Sequence, residues 1–271
     1  MTAKLKIGLV GCGTIGTRMA QAIDQGKVVA ELSAVNDLDT EKANELIEGL
    51  KIQIPIFMGL EEIFKNVDLV VEAASPDVVP QIISLASRYK IDCMIMSIGG
   101  LLGAEKIINE AGNAGIRIYC PSGAIAGLDA VAAASVGRVD FVRLITRKPP
   151  QALKSAPYII EKGIDLDAVN EERVIFEGSA LEAVPLFPKN INVAATLSLA
   201  GVGPKRTSVR IIVDPKIKRN THQIEVEGEF GKFITRTENL PAPFNPRTSY
   251  LAALSAIACL RKITNPLKLG G

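Results

Sequence analysis

The segment GLVGCGTIG, residues 8–16, sets three glycines, Gly11, Gly13 and Gly16, at the junction between an apolar run and a helical pattern. Each position has its own steric demand. Gly11 turns the chain sharply off a strand, Gly13 lets backbone approach a pyrophosphate, and Gly16 lets a helix pack close to that strand. Thr14 and Ile15 complete the loop and open the helix, whose N-terminal amides and partial positive charge suit a phosphate. The pattern is weak alone and stronger in this context, because an acidic residue, Asp37, follows about 20 positions on, at the end of the next apolar run. A carboxylate there accepts protons from both ribose hydroxyls of an adenosine and repels a 2′-phosphate. No arginine directly follows Asp37. NAD is therefore the expected cofactor, with NADP as the alternative. The competing reading is a glycine turn in a sheet that binds no nucleotide.

The alternation continues. Strands are predicted at 5–11, 28–37, 67–74, 92–100 and 115–123, separated by helices at 14–24, 40–50, 76–90 and 103–115. Apolar strands joined by helices are parallel strands joined by crossovers. After a helix rich in small residues over 121–137 the grammar changes. Residues 138–148 alternate like a strand, and 172–203 hold a strand and then a helix starting near Asn190. Residues 207–215, 220–231 and 232–239 read as neighbouring antiparallel strands, and 247–263 as a last amphipathic helix. The expected fold is α/β: a Rossmann doubly wound parallel sheet followed by an α+β domain with a mostly antiparallel sheet. The expected domains are 1–123 for the dinucleotide and 124–245 for substrate and dimerisation, with the helix of 246–263 packing back on the first. The stripes of small residues at 195–201 and 250–260 fit either dimer-interface helices or ordinary core helices.

Composition excludes several classes. The 31 basic and 29 acidic side chains leave a net charge of +2, without the clustered Lys and Arg of a nucleic-acid surface. No apolar stretch is long enough to span a bilayer, and the first apolar run is too short for a signal peptide. Cys12, Cys93, Cys120 and Cys259 are far apart and read as free thiols in a reducing compartment. With one histidine, His222, and no clustered thiols, no metal site is expected. A cytoplasmic protein is the expectation.

The ends of parallel strands are where ligands bind. Ala73, Ala74 and Ser75 end the third strand and are small enough for a cofactor to lie over them. SIGGLLG (97–103) and PSGAIAG (121–127) end later strands. Gly and Ser also serve ordinary turns, and both readings stand.

GLVGCGTIG, PSGAIAGLDAV, TRKPP, FPKNINVAATLSLAG and THQIEVEGEFG follow one another as in the L-aspartate dehydrogenases of archaea and bacteria, which the chain resembles over nearly its whole length. The glycine loop is shared by many enzymes; the PSGAIAG, FPKNINVA and THQIEVEG segments are far more specific. The resemblance implies a homodimer that uses NAD(P) to oxidise L-aspartate to iminoaspartate. The imine then hydrolyses to oxaloacetate and ammonia, or is passed on toward NAD biosynthesis. It also implies that His222 is catalytic. Nicotinamide contacts fall on Ala124 and on Asn190 or Asn192, with Asn190 preferred. The chain is longer than the resemblance suggests, with the surplus at 151–172.

Amine oxidation needs a group that takes the ammonium proton, and an imidazole suits that task. The other reading of His222 is a strand histidine satisfied by hydrogen bonds. A dicarboxylate needs cations. Lys148 and Lys189 lead the candidates because they lie in the family-like segments, followed by Arg247 and Thr248 at the expected start of the last helix. Homoserine-dehydrogenase-like and dihydrodipicolinate-reductase-like enzymes join similar domains, although the latter usually carry a histidine-rich segment. A cofactor-binding sensor without turnover is the alternative outside enzymology.

Overall fold

The computed structural model describes residues 4–188, 192–243 and 245–268. The chain divides into two compact units, Met1–Pro121 with Ala253–Leu269, and Ser122–Ala252.

The first unit alternates strand and helix. Its elements are β1 (Leu5–Val10), α1 (Thr14–Asp24), β2 (Ala30–Asn36), α2 (Thr40–Glu48), β3 (Ile56–Phe57), α3 (Leu60–Ile63), β4 (Leu69–Glu72), α4 (Val79–Tyr89), β5 (Asp92–Ile95), α5 (Glu105–Asn113) and β6 (Ile118–Tyr119). The strands form one sheet in the order β3-β2-β1-β4-β5-β6, with every pairing parallel. The order reverses direction between β1 and β4, so the crevice where ligands bind opens off the ends of those two strands. Ile7 and Leu9 of β1 pack with Met19 and Ile23 of α1 and with Leu69 and Val71 of β4. Burying each such side chain contributes about 2 kcal/mol.

The second unit is built differently. It contains α6 (Leu128–Ala134), β7 (Val139–Lys148), α7 (Pro157–Glu161), β8 (Arg173–Ser179), α8 (Ala180–Leu186), α9 (Asn192–Ala200), β9 (Thr207–Val213), β10 (Asn220–Gly228), β11 (Gly231–Asn239), β12 (Pro241–Ala242) and β13 (Asn245–Ser249). The large sheet runs β11-β10-β7-β9-β8. Its pairings are antiparallel except between β7 and β9. Val142 and Leu144 of β7, Val209 and Ile211 of β9, and Ile224 and Val226 of β10 share one apolar face with α6, α8 and α9. The last helix, α10 (Tyr250–Thr264), sets Ala256 and Leu260 in the core of the first unit. Part of each small-residue stripe faces a core: Leu197 of α9 packs in one, and Ala256 and Leu260 of α10 in the other, while Leu199, Leu251 and Leu254 are exposed.

The expected fold class is borne out, and several local expectations are corrected. The strand read at 207–215 is not a neighbour of the one at 220–231, because β7 lies between β9 and β10. A crossover containing α7, β8, α8 and α9 returns the chain parallel to β7, and alternation alone carries no record of that path. The helix read over 121–137 spans only Leu128–Ala134, since Gly123 and Gly127 take left-handed φ of 64° and 87° and break the helical run. The strand read over 92–100 ends at Ile95 and turns through a short 3₁₀ segment, Ile98–Leu101. The residues expected to start the last helix, 247–249, lie in β13, and α10 starts at Tyr250. Helix α8 was not anticipated, although Ser179 and Glu182 form a capping box, a signal written in the sequence as S-x-x-E. Among the described residues no helix is long and apolar enough to cross a membrane.

Candidate active site

In the first unit the glycine loop sits where β1 ends. Gly11 has φ of 99°, and a Cβ there would lie 2.6 Å from the Ala73 carbonyl. Only glycine allows β1 and the end of β4 to come so close, so Gly11, Ala73 and Ala74 form one surface. A Cβ at Gly16 would lie 2.0 Å from the Gly11 carbonyl oxygen, which seats α1 against the loop. Gly13 differs, because no atom lies within 4 Å of a Cβ built there. Its φ of −73° is open to any residue. The free space is over the backbone where a pyrophosphate would lie. The helix beyond, starting at Thr14, Ile15 and Gly16, has no side-chain cap and no acidic residue in its first turn. Its partial positive charge suits an anion.

Asp37, just beyond β2, accepts from the Cys12 amide through Oδ2 at 2.6 Å and from the Asp39 amide through Oδ1 at 2.9 Å. These two bonds fix the carboxylate beside the loop. Nearby, Lys42 pairs with Asp39 at 3.0 Å. The open Gly13 backbone, the uncapped helix and the placed carboxylate fit a dinucleotide.

One residue of this unit was not foreseen. Glu72 ends β4 and is fully buried. Its Oε1 accepts from the Ala74 amide at 2.7 Å and from Ser97 Oγ at 2.8 Å. Its Oε2 accepts from the amides of Ser97 at 2.9 Å and Met96 at 3.2 Å. Burial raises its pKa against these hydrogen bonds. Glu72 thus ties Ala73–Ser75 to the turn after β5. The signal available was a single acid inside the apolar run LVVEAA. Of the SIGGLLG glycines, Gly100 serves packing, since a Cβ there would lie 2.5 Å from the Pro76 carbonyl, whereas Gly103 serves a turn, with φ of 79° and open space around it.

In the second unit, His222 near the start of β10 is directly opposite Thr146 of β7. Nδ1 of His222 and Oγ1 of Thr146 are 3.0 Å apart. Lys148 lies two residues further along β7, on the same face. His222 is 5 % exposed and Lys148 7 %. Burial pushes the His222 pKa down to about 3, with the Lys148 charge adding to the effect. Burial alone pushes the Lys148 amine down to about 8. The expectation of an imidazole titrating near neutrality is therefore corrected: in the protein alone, burial holds it in the neutral form.

Ala124 is brought into the same neighbourhood by β11. Thr237, the partner of His222 on that strand, donates through Oγ1 to the Ala124 carbonyl at 2.8 Å. Asn239 donates to the same carbonyl at 3.0 Å, and Thr235 donates to that of Ala126 at 2.9 Å. These three anchors of the PSGAIAG loop were not anticipated, because threonine in a strand is also an ordinary β-former. Asn192 is exposed at the start of α9, and Thr248 is half-buried in β13. Lys189 and Asn190 lie outside the described residues, as does the side chain of Arg247. Among the described residues, no group of three or more His, Cys, Asp or Glu is placed to hold a metal.

Known proteins match at both ends of the chain. Residues 129–263 match the family described as aspartate dehydrogenase, C-terminal, and residues 11–121 that of the homoserine dehydrogenase NAD-binding domain. An L-aspartate dehydrogenase of Methanosarcina acetivorans is 50 % identical over 98 % of this chain and 99 % of its own length. One from Bradyrhizobium diazoefficiens is 42 % identical over 99 % and 95 %. A crystal structure of aspartate dehydrogenase from Thermotoga maritima superposes with a TM-score of 0.78 at 28 % identity, over 98 % of this chain and 99 % of that one. These lengths correct one expectation: residues 151–172, which hold a 3₁₀ turn and α7, are not a surplus.

Proposed function

The chain belongs to the L-aspartate dehydrogenase family, and we propose that it is a cytoplasmic, homodimeric enzyme that oxidises L-aspartate to iminoaspartate, which hydrolyses to oxaloacetate and ammonia. The observation that carries the reading is a buried, neutral imidazole at the end of a strand, beside a buried amine, in a chain matched by such enzymes over nearly its full length.

The chemistry follows from these residues. The α-ammonium must lose its proton before the Cα–H bond can leave as hydride, and a neutral His222 takes that proton. Proton transfer by a placed group is worth about 10²–10⁴-fold. Lys148 is a cation for a substrate carboxylate. Bringing that negative charge beside the pair offsets the desolvation of both groups. Lys189, Arg247 and Thr248 are the further candidates for the second carboxylate. Gly11, Gly13, Thr14, Ile15, Gly16 and Asp37 would hold the adenosine and pyrophosphate, Ala73, Ala74 and Ser75 the sheet edge beyond, and Ala124 with Asn190 or Asn192 the nicotinamide. When bound, the dinucleotide supplies the hydride acceptor. Asp37 favours NAD over NADP, since a 2′-phosphate would meet its carboxylate. A role upstream of NAD biosynthesis rests on the family resemblance.

Absorbance at the NADH band, followed with L-aspartate, homoserine, L-alanine and L-malate and with each dinucleotide, tests the proposal. L-Aspartate with NAD is expected to give the highest kcat/KM. Turnover of homoserine in preference to aspartate would refute the substrate, and no turnover with any of the four would favour a sensor.

A further inference from the structure

On the face of the second unit's sheet that holds the core, β7 and β10 pair Val142 with Val226 and Leu144 with Ile224, and the next rung pairs Thr146 with His222. An apolar ladder thus ends in a polar pair. Thr146 is 5 % exposed, in a place where valine would fit with nearly the same shape. A buried hydroxyl is unfavourable unless it is hydrogen-bonded, and the contact it makes is to Nδ1 of His222 at 3.0 Å. Among the described residues Nε2 has no partner.

A neutral imidazole carries its proton on one nitrogen and a lone pair on the other. A hydroxyl can donate to Nδ1, which leaves Nε2 protonated, or accept from Nδ1–H, which leaves Nε2 basic. Resting on the reading of His222 as the group that takes the ammonium proton, we infer that Thr146 is a positioning residue: its Oγ1 accepts the Nδ1 proton, fixes the tautomer, and leaves the Nε2 lone pair as the base. On proton transfer Nε2 gains the proton, the ring becomes imidazolium, and the substrate amine keeps its electron pair for the oxidation that follows. Thr146 touches no reacting atom and acts through the ring alone.

One histidine in 271 residues makes the test clean, because a protein labelled with ¹⁵N-histidine shows a single imidazole. Wild-type protein is expected to show a protonated Nδ1 and an unprotonated Nε2. Thr146→Val, which keeps shape and removes the hydroxyl, should lose that single state. Its kcat should fall about 10- to 100-fold, less than the ~10⁴-fold lost with a charged orienting partner, with the Kd for NAD little changed. Thr146→Ser should restore both the tautomer and most of the turnover. A protonated Nε2 in the wild type would overturn the inference, as would wild-type kcat in Thr146→Val. A fall in kcat with an unaltered tautomer would do the same. His222→Gln separates this from the function it rests on: wild-type turnover there refutes the catalytic reading of His222, whereas lost turnover beside an active Thr146→Val refutes only the role of Thr146.

Discussion

At the residue scale, the environment of His222 decides its chemistry. Its pKa of about 3 compares with 6.5 for a free imidazole. His222→Ala should lower kcat by about 10²–10⁴-fold while leaving the Kd for NAD unchanged, checked by steady-state kinetics beside a fluorescence titration. The same burial ties stability to acidity. Because the folded pKa is depressed, the unfolded chain takes up the proton first as pH falls. The stability from the neutral ring is complete above pH 6.5 and is lost progressively toward pH 3, by about 1.4 kcal/mol per unit. Between pH 6.5 and 5 the wild type should therefore lose about 2 kcal/mol more than His222→Gln, read from urea midpoints at each pH. Equal losses would place the ring in a more hydrated site. The histidine was legible as a residue worth testing, and its partners were not. Thr146 is 76 positions away in sequence, and only the β7–β10 register puts it opposite His222.

At the element scale, the strand–glycine loop–helix unit separates two uses of one residue type. Gly16→Ala would drive a methyl into the Gly11 carbonyl, 2.0 Å away, and backbone cannot yield cheaply. It should destabilise the protein by about 1–3 kcal/mol. Gly13→Ala meets open space and should leave the melting temperature nearly unchanged, yet weaken NAD at least 10-fold by filling the approach to the pyrophosphate. Thermal unfolding and NAD titration of the two variants side by side check this; equal losses of stability would deny the distinction. Most helices and strands of the first unit were readable because apolar runs alternate with segments of helical spacing, but the short β3 and α3 were not read. Boundaries were less readable. The helix read over 121–137 failed in its first half because Gly123 and Gly127 turn the backbone left-handed. Helix α8 was missed because its short run lies between a strand and a segment read as one longer helix.

At the scale of the whole molecule, the large sheet of the second unit has a second face, opposite the helices. Arg143, Ile145 and Arg147 of β7 and Arg210 of β9 point that way. Nε of Arg143, Nη1 of Arg147 and Nε of Arg210 are buried without a hydrogen-bond partner among the described residues. Each arginine also pairs with a glutamate, Arg143 with Glu225, Arg147 with Glu172 and Arg210 with Glu177, and the donors left over are unfavourable unless something satisfies them, so this face is the one on which to test the proposed homodimer. Sedimentation equilibrium should give a mass near twice 28.9 kDa, and Arg147→Glu should shift it toward the monomer; a monomeric wild type would remove the homodimer. By itself the sequence determined the class of each half, because hydrophobic period and glycine spacing are local properties that survive any arrangement of the elements. It also carried Asp37, the acid proposed for the cofactor's ribose, at a fixed interval from the loop. Tertiary structure alone decided strand order, the parallel partner of β7, the burial that keeps His222 neutral, and the joining of Ala124 to Thr237 across 113 positions. Those depend on which surfaces meet, and no local pattern encodes a meeting between distant segments.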